Sequence, residues 1–238
     1  MKRIGCIFLL ISMAAGAVRA ESPREVLSEA ARAFDEAALR QKDDNAKPAP
    51  VRKWMKTIRL AFDNPGAMPS LVDRTRQAIK VEATEAGLAV VDVERSDATM
   101  NYKVLFDENG LTGDAGSCFG SFWWNNGSEI TRAELRINPV RIRDIDRCIY
   151  HEPMHTLGFG SHPHAAFSVL SYVYKAQRTP TPLDIHLLHT LYDARMTPGL
   201  KPAPASQLAC RILGERLASS AADIDAVCRD RKGPTPAS

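Results

Sequence analysis

The sequence predicts an α+β fold: a small mixed twisted sheet, one helix that carries the site, and flanking helices. Three observations predict it. Ile58, Leu60 and Phe62, and later Tyr102, Val104 and Phe106, alternate as strands with one buried face do. Between them Leu71, Thr75, Ile79 and Ala83 recur at helical spacing. Asn126-Gly127 then sits between two apolar arms, a hairpin signal shortly before a cluster of histidines.

The elements follow in order. Residues 1–20 carry Lys2 and Arg3, an apolar run from Ile4 to Val18, then Arg19-Ala20, the pattern of a secretory signal peptide cut after Ala20. The run is short for a membrane span, and no later segment approaches the ~18 apolar residues a span needs, so no membrane contact is expected after cleavage. Cleavage removes three of the 31 basic residues and none of the 28 acidic ones. The balanced charge left behind gives no argument for nucleic acid or an anionic membrane as partner. Export implies a secreted or periplasmic chain. There Cys118, Cys148, Cys210 and Cys228 are expected to form two disulfides rather than stay as free thiols. Of the three formal pairings, Cys118–Cys148 and Cys210–Cys228 keep both ends within one local unit.

Ser22-Pro23-Arg24-Glu25 is a helix start: Ser caps, Pro fits the first turn and Glu25 completes a capping box. Val26, Ala30, Phe34 and Ala38 form its stripe, and the helix should end near Gln41. Residues 42–50 read as a linker. The main domain spans 51–200. In it, Asn64-Pro65-Gly66 turns the chain, Ser70 opens a helix closed by Gly87, Val90–Val93 is a strand, and Asn109–Gly116 is a loop. Phe122-Trp123-Trp124 and Ile130–Ile137 are the hairpin arms, with the tryptophans in the core or lining a cleft. Asp144 caps the next helix, and Thr181-Pro182-Leu183-Asp184 starts another. His186 and His189 on that helix read as packing or surface residues. Lys201-Pro202-Ala203-Pro204 reads as a linker, and residues 201–238 as a helical hairpin with a tail.

The densest signal runs from His151 to His164. His151-Glu152-x-x-His155 places two imidazoles on one helix face, where they converge on a metal ion such as Zn²⁺. Glu152 lies beside them, placed to take a proton from an attacking water. Gly158 follows, where a helix would end, and His162 and His164 come after the turn. Pro153 sits inside this helix, where proline costs about 3 kcal/mol, so the helix must bend or be compensated.

This stretch resembles the zinc-binding segment of the metzincin metallopeptidases, His-Glu-x-x-His-x-x-Gly-x-x-His. His151, Glu152, His155 and Gly158 match in position, and Ser161-His162-Pro163 resembles the Ser-His-Pro of the serralysin and matrixin branches. The sequence departs by one residue inserted after Gly158, by Pro153, and by Leu170 where Ser168-Val169-Leu170-Ser171-Tyr172 otherwise resembles the family's Met-turn. The resemblance implies an exported zinc metallopeptidase acting on peptide or protein substrates, and the chain is expected to be a monomer. His151, His155 and His162 would hold Zn²⁺, Glu152 would be the base, and Tyr172 would assist at the oxyanion unless it is a buried core tyrosine. His164 is the rival third ligand. Because Ser161 stands at the family's own position, a glycine at 160 would absorb the extra residue at positive φ. The strand over 129–137 would either be the sheet edge that pairs with substrate or lie in the interior. Two other readings stand beside this one: a non-catalytic metal- or protein-binding module on the same fold, and a closed structural zinc site completed by His164 or Cys148.

Overall fold

A computed structural model describes residues 22–41, 47–63, 68–106, 118–140 and 144–234. The signal-peptide reading at 1–20, the turn at Asn64-Pro65-Gly66 and the loop Asn109–Gly116 lie outside these residues.

Helix α1 (Pro23–Ala38) begins with the expected capping box between Ser22 and Glu25. It ends at Ala38, before Gln41. Its buried face is centred on Leu27, Ala30, Phe34 and Ala37, so Leu27 rather than Val26 opens the stripe. Helix α5 (Pro202–Arg216) and helix α6 (Ala221–Cys228) pack on α1 and on each other, and the Cys210–Cys228 disulfide joins them. The Lys201–Pro204 stretch is thus not a linker. Pro202 occupies the first turn of α5, where its missing N–H costs nothing and its fixed φ suits a helix.

The sheet holds β1 (Lys53–Trp54), β2 (Ile58–Asp63), β3 (Val90–Asp92), β4 (Tyr102–Phe106), β5 (Cys118–Trp124) and β6 (Glu129–Ile137). Strands β3, β2, β4 and β6 lie side by side in parallel, and β1 pairs in parallel with the start of β6. Helix α2 (Pro69–Glu85) connects β2 to β3 and buries Leu71, Ile79 and Ala83 as its spacing predicts. It starts at Pro69, one residue before Ser70.

Strand β5 is the antiparallel member, with Gly120 opposite Leu135 and Trp124 opposite Ile130. The turn is wider than Asn-Gly alone. Asn125 Oδ1 accepts from the Gly127 and Glu129 amides, and Ser128 takes the positive φ. This hairpin places β6 between β4 and β5, with Ala133, Leu135 and Ile137 fully buried. Residues 129–137 are therefore interior, and among the described residues β5 is the outer strand on that side. Its exposed end carries Trp123 and Trp124, which are outside the core.

Helix α3 (Ile145–Thr156) is capped by Asp144, whose side chain accepts from Arg147 N. The Cys118–Cys148 disulfide ties β5 to α3. Helix α4 (Pro182–Leu191) has a capping box between Thr181 and Asp184. No helix among the described residues is long and apolar enough to cross a membrane.

Candidate metal centre

Helix α3 runs through Pro153 without interruption to Thr156. The last carbonyls of a helix have no partner within it, and here each is taken up. Pro153 O accepts from Leu157 N at 3.0 Å and from Thr156 Oγ1 at 2.7 Å. Met154 O accepts from Phe159 N, and His155 O from Gly158 N. Thr156 O accepts from Trp54 Nε1 at 2.9 Å, and Leu157 O from Tyr192 Oη at 2.8 Å. The buried Tyr102 hydroxyl, which burial pushes above its ordinary pKa, bonds Thr156 Oγ1 at 2.8 Å. The end of α3 is thus clamped by residues of β1 and β4 and by Tyr192 at the end of α4, so the helix that contains Pro153 is anchored at its C-terminus.

Gly158 turns the chain at φ +114°, a region that side chains rarely adopt, and a Cβ there would stand 2.2 Å from Arg52 O. Gly160 does not take a positive φ. It serves by close approach instead, since a Cβ would lie 2.6 Å from Arg40 O. The inserted residue is accommodated where the chain passes against the end of α1, with Ser161 N bonded to Ala37 O at 3.0 Å.

This path brings His162 to the two helix histidines. The three Nε2 atoms are 3.1 Å (151–162), 3.2 Å (151–155) and 3.0 Å (155–162) apart. His151 Nδ1 is bonded to Val169 O at 2.8 Å, and His155 Nδ1 to Phe159 O at 2.6 Å. A carbonyl accepts only, so in each ring the proton sits on Nδ1 and Nε2 presents a lone pair. Lone pairs this close repel unless a cation lies among them. Zinc–nitrogen bonds of about 2.0–2.1 Å in a tetrahedron place ligand nitrogens roughly 3.3 Å apart, close to what is found here. The donor set and spacing fit a metal ion.

The remaining expected residues stand around this triangle. Glu152 is buried, and its Oε2 accepts from the Gly120 amide of β5 at 2.6 Å. A Cβ at position 120 would fall 2.5 Å from Glu152 O, so a glycine is needed for the strand to approach the helix this closely. Tyr172 is exposed, not a core tyrosine, and its ring lies over His162 with centroids 3.9 Å apart. Leu170 is fully buried. The turn from Ser168 to Ser171 is held by Asp184, which accepts from Ser168 Oγ at 2.5 Å and Val169 N at 2.9 Å. Burial raises the Asp184 pKa, and the hydrogen bonds from Ser168, Thr181 and Val169 oppose that rise.

His164 stands apart from the triangle: its amide donates to Glu36 Oε2 at 2.7 Å. Cys148 is taken by its disulfide. His189 pairs with Glu85 at 2.9 Å. Sequence reasoning missed Gly120 and Arg52, which lines a cavity next to His155. Their roles come from contacts across 32 and more residues, which no local spacing announces.

The fold and site define a mixed α/β protein in which three histidines could hold a metal ion beside a buried glutamate. Residues 28–209 match the model of a family described as "Protein of unknown function (DUF2927)", and the chain belongs to that family. No curated protein matches it. Two solved structures of myroilysin are similar in part. One has a TM-score of 0.39 and 14% identity over 60% of this chain and 82% of the other. The second has a TM-score of 0.39 and 13% identity over 67% and 93%. Likenesses this distant carry no argument about what the chain does, which rests on the site itself.

Proposed function

We propose that this protein is an exported zinc metallopeptidase of metzincin type that hydrolyses peptide bonds. The observation that carries the reading is the triangle of three Nε2 atoms 3.0–3.2 Å apart, with Glu152 on the same helix. His151, His155 and His162 are the ligands. Zinc supplies a Lewis acid and makes water acidic enough to serve as nucleophile near neutral pH. Glu152 takes the proton of the attacking water and passes it to the leaving amine. The Gly120 amide on Oε2 fixes the direction in which that carboxylate faces. Tyr172, beside His162, donates its hydroxyl to the developing oxyanion. The outer edge of β5 supplies backbone groups that can pair with an extended peptide or protein substrate. The protein acts as a monomer, without nucleic acid or membrane.

The test is metal content measured on purified protein, together with cleavage of an unstructured protein such as casein with and without a chelator. Stoichiometric zinc with chelator-sensitive cleavage supports the reading. Zinc without cleavage moves the protein to the binding-module reading, and no metal at all removes both.

A further inference from the structure

Next to the histidine triangle lies a cavity of about 220 Å³, room for several waters at roughly 30 Å³ each. Phe119, Phe122, Trp124 and Phe159 give it an apolar lining, and His155 forms part of its wall. Arg52 lines it too. Only 6% of this residue is exposed. Its guanidinium lies 3.8 Å from the centroid of Trp124, and Nε has no hydrogen-bond partner. Among the described residues no carboxylate pairs with Arg52, and no acidic side chain lines the cavity. Burial alone lowers its pKa.

A guanidinium taken out of water without an anion is costly. Stacking on Trp124 offsets part of that cost through the ring quadrupole. The fork geometry that matches a carboxylate with two parallel hydrogen bonds is left unused. Its neighbour Lys53 differs, since Nζ is spent on Asp193 O at 3.1 Å. The aromatic walls would favour the apolar part of a ligand, and the charge at Arg52 would favour an anionic end.

We propose that this cavity is a carboxylate-selecting subsite, in which Arg52 recognises the carboxylate of a peptide substrate beside the bond to be cut. The proposal rests on the peptidase reading for the word substrate, but not for the binding itself. The carboxylate can come from an acidic side chain or from a chain terminus. Arg52 is a specificity residue here and takes no part in the bond-breaking step.

The experiment uses the full mature protein and four short peptides in two matched pairs: Glu against Gln at one internal position, and a free C-terminus against a C-terminal amide. Binding is followed by calorimetry on metal-free protein, and cleavage separately on zinc-loaded protein. In at least one pair the acid is expected to bind about 10- to 100-fold more tightly than its amide, as a charge-assisted hydrogen bond in a buried site should give. The pair that discriminates identifies the source. In Arg52→Met the acid-to-amide ratio should collapse to within about twofold, and Arg52→Lys should retain part of it. Equal binding of acid and amide in both pairs by the wild-type protein overturns the proposal, whatever Arg52→Met does. Discrimination in binding with no cleavage of any peptide sustains the subsite and sinks the peptidase reading. Cleavage without discrimination does the reverse.

Discussion

Asp184 and His151 are joined through a single residue: the Asp184 carboxylate accepts the Val169 amide at 2.9 Å, and the Val169 carbonyl accepts from His151 Nδ1 at 2.8 Å. The same carboxylate caps α4 through Thr181. The tautomer of His151, a proposed metal ligand, is thereby set from the first turn of α4. Asp184→Asn should weaken zinc binding about 10- to 100-fold, the usual cost of disturbing the groups that orient a ligand. Competition titration against a zinc-sensitive dye measures this. Unchanged affinity in a folded variant would show that the turn holds its shape without the carboxylate.

Glu152→Gln keeps the size of the side chain and removes the proposed base. The variant is expected to retain a full equivalent of zinc while its cleavage rate drops about 10²–10⁴-fold. Metal analysis and a fluorogenic peptide assay on the same preparation give both numbers. Wild-type turnover in this variant would refute the role given to Glu152.

His162→Ala and His164→Ala separate the two candidates for third ligand. His162 is in the triangle, and His164 is exposed with its amide on Glu36. Zinc affinity should fall by orders of magnitude in the first and change less than about twofold in the second. A larger loss in His164→Ala would move the ligand assignment to 164.

Glu82 is fully buried in α2, and neither of its carboxylate oxygens has a hydrogen-bond partner. Burial, and then the neighbouring Asp184, push its pKa well above the ordinary 4.5. The folded chain therefore keeps a proton that the unfolded chain releases once pH rises past 4.5. The unfolded state binds fewer protons in that window, so stability falls as pH rises, by up to about 1.4 kcal/mol per pH unit. The penalty stops growing above the folded-state pKa. Glu82→Gln removes the titration. It should be more stable than wild type at pH 7, with the gain vanishing below pH 4.5, as read from urea midpoints across pH. A gain that does not vary with pH would mean that Glu82 is not held protonated.

Much of this fold was legible. The strands at 58–62 and 102–106, the helix over 71–83, the capping box at Ser22, the helix start at Thr181 and the hairpin at 126–127 all announce themselves through neighbours in sequence, and the structure has them. The histidine helix was legible for the same reason. What could not be read was order across the sheet. Whether 129–137 or 118–124 lies outermost depends on which way the hairpin folds over β4, and period-two alternation is the same in either case. Proline misled twice. Pro202 begins a helix, and Pro153 is carried inside one whose C-terminal carbonyls are held by Trp54 and Tyr192. Trp54 and Tyr192 lie far from that helix in sequence, so this anchoring is invisible from the local sequence.

The bridge between Cys118 and Cys148 fastens the strand that orients Glu152 to the helix that carries it. While those two thiols are reduced, the carboxylate and its amide partner belong to two elements with one less tether between them. Forming the bridge therefore limits how far the Glu152 carboxylate and the Gly120 amide can drift apart, beyond any contribution to stability.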